Sequence, residues 1–455
     1  MKLVVIGGGG VRSIFLAKSL AQRAKELHIN KVVFMDNNEK KLNIYGAMAK
    51  ETARRIDSSV QFILTVDAKE AVQDADYIIT TIRVGGDSKR VDDERIALSH
   101  NILGQETTGA AGFSFAMRSV PALAEYCELI KKYSSKNVKV FNFTNPAGVV
   151  SQTLRDMGYD FTFGICDAPS SLLRSFAKLY NVSPESITGS CYGLNHLSFF
   201  NSIRLNGKEI LPELIANDRI YTQTEMCFFS RDLTEKMGCI MNEYLYYYFY
   251  REKAIENILK AGVTRGEVIR DINSHMTKEL SNMNVEKDFN DCLKIFQKWY
   301  GRRENAYMQN ETGISSHKAP FHFNINERDE GGYAGVALKY IEAVEKRKTE
   351  DMILCVPNQG AIPGLHYDDV VEITCTVSPD GYAPQKIENP GEIPLEIIRR
   401  VKIYERLASL AIRTKSKDAA VKCLMLHPLV NSYSLAKELV DQYLESNQDY
   451  IKEWA

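Results

Sequence analysis

Three features of the chain predict an α/β fold, a doubly wound parallel sheet followed by an α+β region. The opening residues run strand, glycine turn, helix, strand and acid. Apolar strands ending in polar residues then recur through the first half. Near Ile187 that alternation stops, and a hairpin and long helical patterns take over. At 455 residues the chain exceeds one ordinary core, so two domains are expected, 1–190 and 191–455.

Each element has its own signal. Lys2–Ile6 is a short apolar run, followed at once by Gly7, Gly8, Gly9 and Gly10. The amphipathic segment Val11–Leu27 comes next, then a second apolar run ending in Asp36. This is the order of a dinucleotide-binding βαβ unit of the Rossmann type. Glycines allow a tight turn and a close approach of backbone to a pyrophosphate, whose charge sits on the amides at the helix start. Asp36 stands where an acid takes two ribose hydroxyls, and a carboxylate there repels a 2′-phosphate, so NAD is the expected cofactor. Read as G-x-G-x-x-G, the third glycine is replaced by Arg12 or Ser13.

Asn38–Ile56 has helical spacing of Leu42, Ile44, Ala47 and Met48. Gln61–Val66 reads as a strand, Ala68–Gln73 as a short helix, and Asp76–Val84 as a strand buried on both faces, ending at Gly85–Gly86. Val138–Pro146 and Asp160–Pro169 are further apolar strands with polar ends. Open α/β sheets bind ligands at the carboxyl ends of their strands, so Arg90, Asn145, Cys166 and Asp167 are expected to converge on one crevice. In the second region, Asn206–Gly207 between alternating runs predicts a hairpin within Leu197–Leu211. Asp232–Lys260, Arg265–Arg302, Pro394–Thr414 and Leu435–Ser446 read as helices, and Met352–Pro357 and Val370–Val377 as strands.

Composition narrows the function. A chain 44% hydrophobic and 25% charged is globular, and a formal net charge of −1 without a basic run argues against nucleic acid. No apolar stretch is long enough to span a bilayer, and the N-terminus opens into a strand rather than a signal peptide. Nine scattered cysteines without a C-x-x-C pair fit reduced thiols. The expectation is a cytoplasmic protein with a small-molecule partner and no membrane.

Ile82–Gly86, Gly104–Gly109, Asn145–Gly148, Cys166–Pro169 and Gly193–His196 follow one another in order with the glycine turn, and Asn358–Ile362 and His427–Val430 continue the series. Together these strings resemble glycoside hydrolase family 4, NAD- and divalent-metal-dependent glycosidases, many of them acting on 6-phosphoglycosides. The resemblance runs through essentially the whole chain. It implies a Rossmann domain similar to malate and lactate dehydrogenases plus an α+β domain. It also implies a homodimer or homotetramer, and a phosphorylated disaccharide or aryl glucoside as substrate.

The implied chemistry departs from the two-carboxylate rule of most glycosidases. NAD⁺ oxidises the C3 hydroxyl, which acidifies the C2 proton; a base removes it, the aglycone is eliminated, water adds, and NADH returns the hydride. By resemblance Cys166 and His196 are the two protein ligands of a divalent metal, Mn²⁺ above all, with sugar oxygens completing the sphere. Read alone, Cys166 is a buried strand cysteine and His196 a hydrogen-bonded histidine. The base corresponds to Tyr244, within a run that also holds Tyr246, Tyr247, Tyr248 and Tyr250. A phenol serves only where nearby positive charge lowers its pKa, and the other tyrosines read as a packed aromatic face. Asp167 is the expected proton donor to the leaving group.

Arg90 and Arg265 match the family's phosphate-binding arginines and Asn145 its substrate-binding asparagine; guanidinium forks suit phosphate oxygens. Glu106 is expected at a sugar hydroxyl or a metal-bound water, or else as a cap on the helix that follows. Anomer preference is read from two places. Cys166-Asp167-Ala168-Pro169 is similar to the Cys-Asp-Met-Pro of 6-phospho-α-glucosidases, where the β enzymes usually carry Cys-Asn-x-Pro. Arg328–Val344 and the C-terminal region are closer to the β branch, and the expectation is a 6-phospho-β-glucosidase. Thr107–Phe113 and Gly7–Ser13 depart from the common family pattern. A hydroxy-acid dehydrogenase could use His196 and Arg90 but has no use for Cys166, and a non-catalytic NAD-binding regulator would not need the metal and base residues.

Overall fold

The computed structural model describes residues 1–314, 321–328 and 333–455. Residues 329–332, within the string Arg328–Val344, lie outside the described residues. Six strands come from the first half: β1 (Lys2–Ile6), β2 (Lys31–Met35), β3 (Gln61–Thr65), β4 (Tyr77–Thr80), β5 (Lys139–Asn142) and β6 (Thr162–Gly164). Then follow β7 (Ile187–Leu194), β8 (Leu197–Leu205), β9 (Lys208–Glu209) and β10 (Ile240–Met241), and finally β11 (Glu350–Pro357), β12 (Val370–Ser378) and β13 (Gly381–Pro384).

The first six are parallel and stand in the order β3-β2-β1-β4-β5-β6, the doubly wound order of a dinucleotide-binding domain. Helices cover both faces, which is why β1 from Leu3 to Ile6 is apolar and buried and β4 is buried along its whole length. The sheet does not stop at β6. Cys355 of β11 pairs antiparallel with Gly164, and β12 and β13 extend the same sheet. Strands from beyond residue 350 therefore complete a nine-stranded sheet begun at residue 2.

A second, four-stranded sheet holds β7 to β10. Its hairpin turns at Asn206 (φ +49°) and Gly207 (φ +83°), the left-handed pair that the sequence predicts there. It packs on β12, where the Thr374 hydroxyl accepts from the Cys191 amide at 2.9 Å and donates to Gly189 O at 3.0 Å. Two long helices, Arg265–Leu280 and Phe289–Asn305, fold back over the first domain. Phe15, on the helix after the glycine turn, packs against Tyr300 (ring centroids 4.8 Å apart), Phe323 (5.2 Å) and Phe296 (5.6 Å).

Three elements differ from the sequence-based expectation. The strand Asp76–Val84 ends at Thr80, because the chain then leaves the sheet and the Ile82 amide is satisfied by the Thr144 hydroxyl at 3.0 Å. The helix expected over Asp232–Lys260 is broken. Gly238 (φ +62°) ends Arg231–Met237, β10 pairs with β8, and Asn242 accepts from the Tyr244 amide at 3.0 Å to start a short turn. Helix Arg265–Arg302 is two helices, parted by residues 281–288. Among the described residues no helix is long and apolar enough to cross a membrane.

Two measurements check this packing. Phe296 is fully buried between the two domains' aromatic rings, so Phe296→Ala costs about 3–5 kcal/mol in urea unfolding. His427 is also fully buried; its Nδ1 accepts from the Leu429 amide at 3.1 Å, and burial, aided by Arg400, lowers its pKa to about 3. The unfolded chain takes up that proton near pH 6.5 and the folded chain refuses it. Stability from this group is full above pH 6.5 and falls as pH drops toward 3. His427→Gln therefore flattens the stability–pH slope between pH 6 and 4 by up to about 1.4 kcal/mol per pH unit.

Candidate active site

The glycine turn lies where β1, β2 and β4 end. Gly7 (φ +99°) and Gly8 both donate their amides to Met35 O at 2.8 Å. A Cβ on Gly7 would stand 2.4 Å from Thr81 O, and one on Gly8 2.6 Å from Phe34 Cβ. No other residue fits so close to its neighbours. Gly9 donates its amide to Asp36 Oδ2 at 2.9 Å, which ties the acid at the end of β2 to the turn. Beyond Gly10, the Ser13 hydroxyl donates to Gly8 O at 2.7 Å, so serine closes the turn where a third glycine is expected. Helix Ser13–Ala24 starts here without a side-chain cap. These residues fit a dinucleotide, with bare backbone at the turn and an acid beside it.

Beyond β4, Gly85 and Gly86 (φ +82° and +63°) lead into helix Gly86–Ser99. Arg90 Nε donates to Glu94 Oε1 at 2.8 Å, one turn along, and Arg90 Nη1 reaches Glu106 Oε1 at 2.9 Å. Arg83 pairs with the other oxygen of Glu106. Burial opposes charge on Glu106, but Arg83 and Arg90 outweigh it and hold the carboxyl far below its usual range. Glu94 Oε2 also accepts the Gly266 amide at 2.7 Å, and a Cβ on Gly266 would stand 2.6 Å from that oxygen. Glu106 thus caps no helix; it joins two arginines. Arg90 is committed to two carboxylates, which leaves Arg265 in a different electrostatic state.

Arg265 opens helix Arg265–Leu280, whose start is fixed by a reciprocal Thr264–Glu267 capping box. Its Nη2 donates to Arg303 O at 3.0 Å, while its Nη1 is buried without a hydrogen-bond partner. Asn145 is partly exposed just past β5, before helix Ala147–Asp156. Asp167, just past β6, pairs through Oδ1 with Arg174 Nη2 at 2.7 Å.

His196 sits in the tight turn between β7 and β8 with φ +61°, a left-handed conformation rare for a side chain other than glycine. Glu372 of β12 holds both flanks of that turn, accepting from Asn195 Nδ2 at 3.1 Å and from the Ser198 hydroxyl at 2.7 Å. Burial lifts the Glu372 carboxyl to about 7. The His196 ring is buried, its Nδ1 has no partner, and burial lowers its pKa to about 4, so the imidazole is neutral at neutral pH. Tyr244 stacks on it with ring centroids 3.9 Å apart and planes 11° from parallel. Burial first, then the charge of Glu243, raises the Tyr244 phenol; Cys166 and Glu106 add to this. Burial likewise raises the Cys166 thiol, with Glu372 the next cause.

The structure therefore groups Cys166, His196, Tyr244 and Glu106 within electrostatic reach of the phenol. An orphaned neutral imidazole nitrogen and a buried thiol fit a first-row divalent cation. Among the described residues no set of three His, Cys, Asp or Glu side chains surrounds a metal position. Tyr246 and Tyr247 are buried in the core, and Tyr248 shares a 2.6 Å hydrogen bond with Thr108. Reading the sequence missed Arg83, Glu94, Arg303 and Glu372. The Arg90–Glu94 spacing of four and the single acid inside the apolar run Val370–Val377 were visible signals. Arg303 had none.

Comparison with known proteins agrees along the chain. The family description "Family 4 glycosyl hydrolase" matches residues 2–182, and "Family 4 glycosyl hydrolase C-terminal domain" matches residues 191–430. The 6-phospho-beta-glucosidase BglT of Thermotoga maritima is 29% identical over 99% of this chain and 100% of its own length. Its structure with NAD and glucose-6-phosphate aligns with a TM-score of 0.82 over 99% of this chain and all of that one, and another holds manganese, NAD⁺ and glucose-6-phosphate. A 6-phospho-alpha-glucosidase from gut microorganisms, in complex with NAD and glucose-6-phosphate, is 25% identical with a TM-score of 0.81, covering 100% of this chain and 99% of that one. Malate dehydrogenase of Salinibacter ruber, 13% identical with a TM-score of 0.51 over 91% of this chain and 99% of its own, shares the fold. The chain belongs to family 4 of the glycosyl hydrolases.

Proposed function

We propose that this protein is a 6-phospho-β-glucosidase that uses NAD and a divalent cation, Mn²⁺ in the first instance. The observation that carries this reading is Tyr244 lying flat on the unpartnered His196 ring, with Cys166 nearby. A hydroxy-acid dehydrogenase needs a histidine that exchanges protons near neutral pH, and burial keeps His196 neutral down to about pH 4. The β assignment is supported by the Thermotoga relative and by the β-like C-terminal region; Cys166-Asp167-Ala168-Pro169 is the feature on the α side.

The glycine turn and the amides at the start of Ser13–Ala24 receive the dinucleotide's diphosphate, and Asp36 takes its ribose hydroxyls. Cys166 and His196 hold the cation. When bound, the nicotinamide accepts and returns a hydride at C3 of the sugar, and the cation draws electron density from the oxygen on that carbon. Tyr244 removes the C2 proton through its phenolate oxygen. Its pKa is raised in the protein alone, so the base depends on positive charge, of which Arg12 supplies some within reach of the phenol. Asp167 delivers a proton to the departing glycosidic oxygen. Asn145 and Arg265 orient the sugar phosphate, while Arg90 and Arg83 hold Glu106 ionised toward the sugar hydroxyls.

Hydrolysis of p-nitrophenyl α- and β-glucoside 6-phosphates, with NAD⁺, Mn²⁺ and a thiol reductant each omitted in turn, tests the reading. Cleavage of the β anomer that stops without NAD⁺ or metal is expected. Cleavage that persists after NAD⁺ is stripped from the protein sinks the oxidation–elimination scheme. Tyr244→Phe should lower kcat by roughly 10²–10⁴ and leave the Kd for NAD⁺ within twofold, measured by fluorescence titration. An unchanged kcat removes Tyr244 as the base.

A further inference from the structure

Stacking on His196 fixes the plane of the Tyr244 ring, and the Asn242 side chain fixes its amide. Neither contact decides where in that plane the phenolic oxygen points. Proton removal from a sugar carbon is sensitive to that choice, because a misplacement of about 1 Å can cost about 10²-fold in rate. Tyr307 supplies the missing contact. It follows helix Phe289–Asn305, and its amide donates to Glu304 O at 3.1 Å. Met308 then takes a left-handed backbone (φ +54°) and is buried, so this corner is anchored in the core. The Tyr307 hydroxyl donates to Glu243 Oε1 at 3.2 Å, and Glu243 is the residue just before Tyr244. The same hydroxyl lies within hydrogen-bonding reach of the Tyr244 phenol. Over the Tyr307 ring, 5.9 Å from its centroid, stands the Arg265 guanidinium.

A phenolic hydroxyl has one proton to give and can also accept. While the Tyr307 proton goes to Glu243, its oxygen can accept from the Tyr244 hydroxyl. When Tyr244 is a phenolate, the Tyr307 proton can turn to it instead, so either form of Tyr244 keeps a partner. We propose that Tyr307 is a positioning residue of the reaction: anchored by Glu243, its hydroxyl holds the Tyr244 oxygen where it meets the C2 proton of the sugar. This rests on the reading of Tyr244 as the base. A phenylalanine at 307 keeps the ring, the core corner and the aromatic face offered to Arg265, and loses only the hold on Tyr244.

Tyr307→Phe, Glu243→Gln and Tyr244→Phe, assayed on p-nitrophenyl glucoside 6-phosphate carrying deuterium at C2 or at C3, test the role. For Tyr307→Phe the expected result is a kcat roughly 10- to 100-fold lower, with KM and the Kd for NAD⁺ within about threefold of wild type. Its deuterium isotope effect at C2 should grow relative to that at C3, because proton removal becomes the slower step. Glu243→Gln keeps an acceptor for Tyr307, so its kcat should fall less than that of Tyr307→Phe. A Glu243→Gln enzyme slower than Tyr307→Phe overturns the anchoring, and the inference with it. Wild-type kcat and isotope effects in Tyr307→Phe also overturn it, as does a loss confined to KM, which would make Tyr307 a support for Arg265 alone. Tyr244→Phe separates this role from the reading beneath it. An inactive Tyr244→Phe beside an unimpaired Tyr307→Phe sinks only the role of Tyr307, whereas an unchanged Tyr244→Phe removes the base and this inference together.

Discussion

Gly7 has no Cβ, and the space a Cβ would need is taken by the carbonyl oxygen of Thr81. That contact brings the end of β1 against the end of β4, the point at which the winding of the sheet reverses. Much of the site depends on it. The turn that crosses there carries no side chains, its Gly7 and Gly8 amides tied to Met35 O, and the Gly9 amide holds Asp36 in place. The chain after Thr80 is turned out of the sheet toward Arg83, Gly85 and helix Gly86–Ser99. A side chain at residue 7 would push these apart, and both the cofactor mouth and the arginine wall would move with it.

From that wall the two domains are locked by charge rather than by apolar contact alone. Glu94 accepts from Arg90 with one oxygen and from the Gly266 amide with the other, so a buried carboxylate joins helix Gly86–Ser99 to helix Arg265–Leu280. Breaking one partner would leave a buried charge uncompensated, which costs more than the pair itself contributes. Beside this saturated network, Arg265 and Arg303 keep donors unspent.

On the opposite side a second buried carboxylate does similar work. Glu372 grips Asn195 and Ser198, and His196 between them is forced into a left-handed backbone and aimed at Tyr244. The imidazole has no hydrogen bond of its own at Nδ1. Its orientation comes from its neighbours. β12, which carries Glu372, belongs to the large sheet, so the position of the histidine is referred to the same framework as the glycine turn.

The sequence alone determined the strands of the first domain, the glycine turn with Asp36, and the hairpin at Asn206–Gly207, because local chemistry dictates all three. Strands buried on both faces must be apolar, tight turns must be glycine-rich, and an Asn-Gly pair accepts positive φ. It also determined the family, through motifs that name Cys166, His196, Tyr244 and Arg265 without relating them in space. Tertiary structure decided what those residues can do. The helix expected through Asp232–Lys260 breaks at Gly238 and Asn242, since pairing of β10 with β8 outweighs helical spacing, and this break sets Tyr244 against His196. Arg90 and Arg265 read alike in sequence, yet among the described residues Arg90 is ion-paired, with Glu94 and Glu106, and Arg265 is not, because pairing depends on which carboxylates the fold brings close. Burial, orientation and counter-charge are long-range properties, and for that reason Arg303 came to light only in the folded chain, while Glu372, a lone acid in an apolar run, found its partners there.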